Sequence, residues 1–153
     1  MSSREDVYLA VGKALELCQL LETDIGTALL ALDGLDTKSY RNPDAEAYKR
    51  LQRAIDDQTL GRSLSQIKKR LDIKEDIETL FNNALDARNF LAHRFFPHHN
   101  VRIFAPEGCD HMIAHVEQLR DKLTPAYSSA QHLSEILVSA VRLLKKVHRK
   151  GDA

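Results

Sequence analysis

Hydrophobic residues recur along this chain at steps of three and four, and no run alternates convincingly with period two. That periodicity predicts α-helix nearly throughout. A first helix is expected from about Ser3 to Leu32, with Val7, Val11, Ala14, Cys18, Leu21, Ile25, Leu29 and Leu32 along one face. The stretch "DGLD" is expected to end it, with Gly34 as the stop. "RNPDAE" then predicts a new start, with Asn42 as N-cap, Pro43 in the first turn, and Asp44 and Glu46 favoured by the helix dipole. This second helix carries Tyr48, Leu51 and Ile55. Thr59 opens a short third helix with Leu60, Leu64, Ile67 and Leu71 inward, and Lys68, Lys69 and Arg70 near its end. A fourth is expected from about Lys74 to Phe95, stopped by Pro97.

Between Pro97 and Gly108, "PHHNVRIFAPEG" reads as the one substantial loop, with "VRIF" locally extended. The longest regular pattern follows: Val116, Leu119, Leu123, Ala126, Ala130, Leu133, Leu137, Ala140, Leu144 and Val147. This heptad seam crosses Pro125 without losing phase. Either one helix kinks there, or it ends and restarts with Thr124 as N-cap; unbroken phase favours the kink. Some 40 helical residues span roughly 60 Å, against about 35 to 40 Å for a domain of this size. The excess points to a second subunit. The expectation is an all-α bundle of four to five helices, a single domain over 1–153, with a long kinked C-terminal helix.

Composition narrows the function classes. Lys+Arg and Asp+Glu balance at 22 each, so no whole-molecule field draws nucleic acid or anionic membrane, and any such partner needs a local basic patch. "MSSREDVYLAVGK" carries acidic residues and no long apolar run, so it reads as neither signal peptide nor anchor. The two cysteines, Cys18 and Cys109, lie far apart without metal spacing and fit buried thiols of a reducing compartment. A cytoplasmic protein without a membrane partner is expected.

Candidate chemistry centres on "RNFLAH", residues 88–93. At about 100° per residue, Ile73, Ile77, Leu80, Phe81, Ala84, Leu85, Leu91, Ala92 and Phe95 fall within roughly 80° of Arg88. Arg88 therefore stands in an apolar stripe, where an unpartnered guanidinium is costly because it cannot shed its charge. Asn82, Asp86, Asn89 and His93 form a second stripe about 100° to 160° away. Glu22, about 40° from Cys18 on the first helix, is the first carboxylate expected to pair with Arg88, and Asp86 the weaker one. On that reading Arg88 is largely buried, and the pair sets how two helices dock, with no chemistry attached.

"RNFLAH" also resembles the Arg-x4-6-His motif of the HEPN superfamily (higher eukaryotes and prokaryotes nucleotide-binding domains), including the polar residue that commonly follows the Arg. The resemblance implies a small all-helical, HEPN-like domain that forms a homodimer, with two motif copies meeting in one composite site. Many such domains are metal-independent endoribonucleases, often toxins or components of antiviral defence, and others only bind RNA or dimerise. Carried onto this chain, the family roles fall on Arg88, Asn89 and His93, with RNA as substrate, an antitoxin or defence protein as a further partner, and no cofactor or metal. The alternative is a catalytically silent interaction module in which Arg88 only pairs with Glu22.

Other groups are weaker. His111 and His115 sit four apart, but in "HMIAH" Met112 occupies the position where a zincin holds Glu. Both fall off the apolar seam and read as exposed. "HRFFPHH" groups His93, His98 and His99 without a Cys or carboxylate to complete a ligand set. Lys68, Lys69, Arg70 and Lys74 read as a solvated face, as does the basic tail "KKVHRKGD"; the sharper reading gives Lys68, Lys69, Arg70 and Arg94 to RNA. No Gly-rich phosphate loop, nucleophile elbow or glycosidase-like carboxylate pair occurs.

Overall fold

A computed structural model describes residues 1–152. Six α-helices follow one another: α1 (Arg4–Thr37), α2 (Ala45–Asp56), α3 (Leu60–Arg70), α4 (Glu75–His93), α5 (Phe95–His99) and α6 (Pro106–Gly151). A 3₁₀ segment, Asn100–Phe104, joins the last two. No strand occurs among the described residues, and no helix there is long and apolar enough to cross a membrane.

Local chemistry sets the helix ends, and in several places it departs from the expectation. At the start of α1, Ser3 and Asp6 cap each other: the Asp6 amide donates to Ser3 Oγ at 3.2 Å and the Ser3 amide to Asp6 Oδ2 at 2.8 Å. The Ser3 amide, and with it the Ser3 hydroxyl that also donates to Asp6 Oδ2 at 2.8 Å, holds the Asp6 carboxyl below its ordinary value. Gly34 does not stop α1, which runs on to Thr37. Leu32 is buried and Leu35 half-buried, so the apolar stripe carries the helix past a glycine that keeps helical geometry. The left-handed residue after the helix is Lys38, at φ 55°. The cap of α2 is Asp44, not Asn42. Its Oδ1 accepts from the amides of Glu46 at 3.0 Å and Ala47 at 3.1 Å, which leaves Pro43 outside the helix. Tyr48 is exposed, and Ile55 is the buried residue of α2. Thr59 caps α3 as expected, accepting from the Arg62 amide at 3.3 Å.

The largest correction lies between residues 95 and 108. This stretch is helical where a loop was expected, and "VRIF" belongs to the 3₁₀ segment instead of being extended. Pro97 does not stop α4; it lies inside α5. In a continuous helix its ring would clash with the carbonyl four residues earlier, that of His93. The break accordingly falls at Arg94, which ends α4 and starts α5. This adds a sixth helix to the four or five expected. α6 is continuous through Pro125, which excludes an end and restart at Thr124. The Thr124 hydroxyl instead donates to the Arg120 carbonyl at 3.0 Å.

The chain divides into two compact units, each drawing on both halves of the sequence. Met1–Leu21 and Lys74–Tyr127 form the first, and Glu22–Ile73 with the chain from Ser128 onward forms the second. The first buries Val7, Val11, Ala14 and Leu21 of α1, Phe81, Ala84, Ala87 and Leu91 of α4, Phe95 of α5, and Met112, Val116 and Leu123 of α6. Cys18 and Cys109 are both buried there, and neither is in a disulfide. The second buries Ile25, Ala28, Leu29 and Leu32, then Ile55, then Leu60, Leu64 and Ile67, with Ala130 and Leu137 of α6. The α6 seam thins toward its end: Ala140 and Leu144 are half-buried and Val147 is exposed.

Candidate functional site

The motif residues all lie in the first unit. α4 begins with Glu75, Asp76 and Glu78 in its first turn, where the helix dipole favours acids. About three turns later Arg88 is half-buried, less enclosed than its place in the apolar stripe suggested. Its Nη1 donates to Asn89 Oδ1 at 3.2 Å. That contact orients the Asn89 amide, turning its oxygen to the guanidinium and its NH2 away. His93 is the last residue of α4 and is exposed. Five residues of helix place it about 140° around the axis from Arg88. The structure therefore brings Arg88 and Asn89 together and leaves His93 on another face of the same helix. Of the two carboxylates considered for Arg88, Asp86 is exposed, and Glu22 is half-buried in the second unit.

The cationic candidates separate. Arg94 is exposed, with its guanidinium carbon 5.3 Å from the centroid of Phe90. Lys69 is exposed and Lys68 half-buried. Arg70 is ion-paired with Asp36 through Nη2 and also donates from Nε at 3.2 Å, so it is tied down within the second unit. A more pronounced basic feature stands at the end of α6. Arg142, Lys145, Lys146, Arg149 and Lys150 line one groove at steps of three and one, which keeps them on a single helix face.

The histidines regroup relative to the sequence expectation, which set His111 with His115 and His93 with His98 and His99. The folded group is His98, His99 and His115, one ring nitrogen of each lying within 4.8 Å of the others. His99 Nε2 and His115 Nδ1 are 2.8 Å apart. His111 is exposed, its ring 5.8 Å from that of His99. Phe95 packs on His99 at 4.7 Å between centroids, and Phe90 on His115 at 5.1 Å. The available signal was positional: His115 adjoins Val116 on the buried seam, and His99 lies four residues after Phe95. Reading residues 97–108 as a loop hid the second relation.

His99 is 2% exposed. Burial first, then the neighbouring His115, His98, Arg102 and His111, lowers its pKa from 6.5 to about 4. Burial also lowers His115, helped by His98, His111 and Lys122. Above pH 6.5 folded and unfolded chains both hold these rings neutral. As pH falls from 6.5 toward 4, the unfolded chain gains protons that the folded one refuses, so stability drains through that window. In chelator, the melting temperature is expected to fall between pH 7 and 4.5 by on the order of 5 °C, with a shallower slope in His99→Gln. Equal slopes in the two proteins would assign the acid loss to other groups.

Comparison with protein-family models, curated proteins and solved structures finds no match to this chain.

Proposed function

We propose that this chain is a HEPN-type RNA-binding protein that cleaves RNA without metal, with a composite site completed by a second copy. One observation carries the reading: on α4, Asn89 steadies the half-buried Arg88 while His93 stands exposed at the helix end. RNA supplies its own nucleophile, the 2′-hydroxyl beside the scissile phosphate. Cleavage then needs a base for that hydroxyl, an acid for the leaving 5′-oxygen, and a cation for the phosphorane. Two His93 imidazoles from a dyad supply base and acid, and the Arg88 fork matches the phosphate oxygens. Arg88 and His93 project about 140° apart on α4, and a second copy reconciles that angle because the two roles need not come from one chain. The cationic face of α6 (Arg142, Lys145, Lys146, Arg149, Lys150) supports a polyanionic ligand despite zero net charge. A toxin or defence role, with a partner protein that restrains the nuclease, fits the same chemistry.

The test is cleavage of a panel of single-stranded and hairpin RNAs in EDTA. His93→Ala is expected to lose at least about a hundredfold in rate, at unchanged helical circular dichroism. Equal cleavage by the variant, or no RNA bound or cleaved by the parent chain, would set the proposal aside. Arg88 would then be a structural residue, and Arg88→Ala would lower only the melting temperature.

A further inference from the structure

We infer that His98, His99 and His115 form a binding site for one divalent transition-metal ion of the zinc class. The three come from two elements of the first unit: neighbours on α5 and a single residue of α6. Their ring nitrogens already converge to within 4.8 Å of one another. A tetrahedral ion with nitrogen bonds of about 2.0–2.1 Å sets its ligands about 3.3 Å apart, so closing the site takes shifts of about an ångström. Mobility is distributed suitably for that. His99 is fixed, buried against Phe95, whereas His98 is exposed and rests edge-on against Phe90 at 5.4 Å. His98 is the ligand that swings.

The chemistry selects the ion. No carboxylate belongs to the group, which disfavours magnesium and calcium. Three imidazole lone pairs suit zinc, cobalt, nickel and copper. The walls of Phe90 and Phe95 give the site an apolar second layer on one side, and exposed His98 leaves a fourth position facing solvent.

One neighbour opposes binding. Arg102 Nη1 lies 3.5 Å from His99 Nδ1. Arginine only donates, so this contact makes Nδ1 an acceptor and places the ring proton on Nε2, toward His115. An ion at Nε2 displaces that proton to Nδ1, which faces the guanidinium. Arg102 must therefore turn away, and its exposure and long contact allow it to. Replacing it with a carboxylate gives the Nδ1–H an acceptor, the arrangement that orients most ligating histidines.

The experiment is titration of the EDTA-stripped, dialysed full chain with Co2+, followed by displacement with Zn2+. One Co2+ per chain is expected, with the intense visible bands of a four-coordinate ion, and Zn2+ is expected to raise the melting temperature. His98→Ala and His115→Ala are each expected to weaken binding at least about tenfold, and Arg102→Glu to tighten it by a similar factor. His93→Ala, and His132→Ala at an exposed position of α6 in the second unit, should bind as the parent does. His98 is exposed, so its variant keeps the test valid even if His99→Ala fails to fold. Undiminished Co2+ binding in His98→Ala/His115→Ala would overturn the site. Absence of binding would do the same, as would stabilisation by inorganic phosphate in place of Zn2+, which would mark an anion site. None of these readouts involves RNA, so this site and the nuclease proposal stand or fall separately.

Discussion

Gly108→Ala is expected to lower the melting temperature by roughly 10 °C or more. A methyl group built at Gly108 would lie 1.9 Å from the carbonyl oxygen of Arg102 and 2.9 Å from its Cα. The obstacle is backbone, so no side-chain rotation relieves it. The first turn of α6 has to lift from the 3₁₀ segment, and buried Ile103 and Cys109, joined by a 3.4 Å contact from Sγ to the Ile103 carbonyl, move apart with it. Overpacking costs roughly 1–3 kcal/mol and more where, as here, only backbone can yield, and a chain of this length loses about 2–4 °C for each kcal/mol. Gly12→Ala is the control. Gly12 lies exposed within α1 with nothing within 4 Å of a built Cβ, so alanine should stabilise by about 0.5–1 kcal/mol. Thermal melts of the two variants check both signs. A mild effect of Gly108→Ala would mean that the α6 start yields easily.

On the proposed nuclease reading, Arg88→Lys is expected to lose roughly a hundredfold or more in RNA cleavage while its melting temperature moves by only a few degrees. The lysine keeps the charge but loses the planar fork, and with it the two-point contact that the proposed role of Arg88 requires. Removing one oxyanion donor typically costs about 10²–10³ in rate. Arg88 is half-buried and bonded to Asn89, so the shorter reach of lysine also frees the amide it steadies. Asn89→Ala should then fall between the parent and Arg88→Lys. Single-turnover cleavage with saturating protein separates these losses from weaker binding. Near-parental cleavage by Arg88→Lys would reduce the role of Arg88 to simple charge.

Helices were legible wherever an apolar register and a cap agreed. Thr59 with Leu60, Leu64 and Ile67 is one case, and the α6 seam another, strong enough to carry the helix through Pro125. Where register and punctuation conflicted, packing decided. Leu35 outweighed Gly34 in α1. At α2, Asp44 two residues on offered a carboxylate that takes two amides, where Asn42 was expected. The segment 95–108 misled because Pro, His, Asn and Gly read as loop residues, yet Phe95, His99 and Ile103 form its buried side at steps of four. A histidine's identity does not separate a buried one from an exposed one; only its register does, and the four-residue step from Phe95 to His99 carries meaning once the segment is helical. Arg88, Asn89 and His93 were legible as motif letters, and their different faces followed from helix geometry alone.

The division of the chain has a consequence for how it can be cut. Each compact unit takes one stretch from before the α3–α4 junction and one from after it, and residues 72–74 at that junction lie outside any helix. Protease nicking there is expected to release neither unit, because both fragments hold half of each core. Expressed separately, 1–73 and 74–153 should each be unfolded, and mixing them should restore the helical signal with second-order kinetics. The junction is thus a natural position for a split-protein reporter, with association of the two halves as the switch.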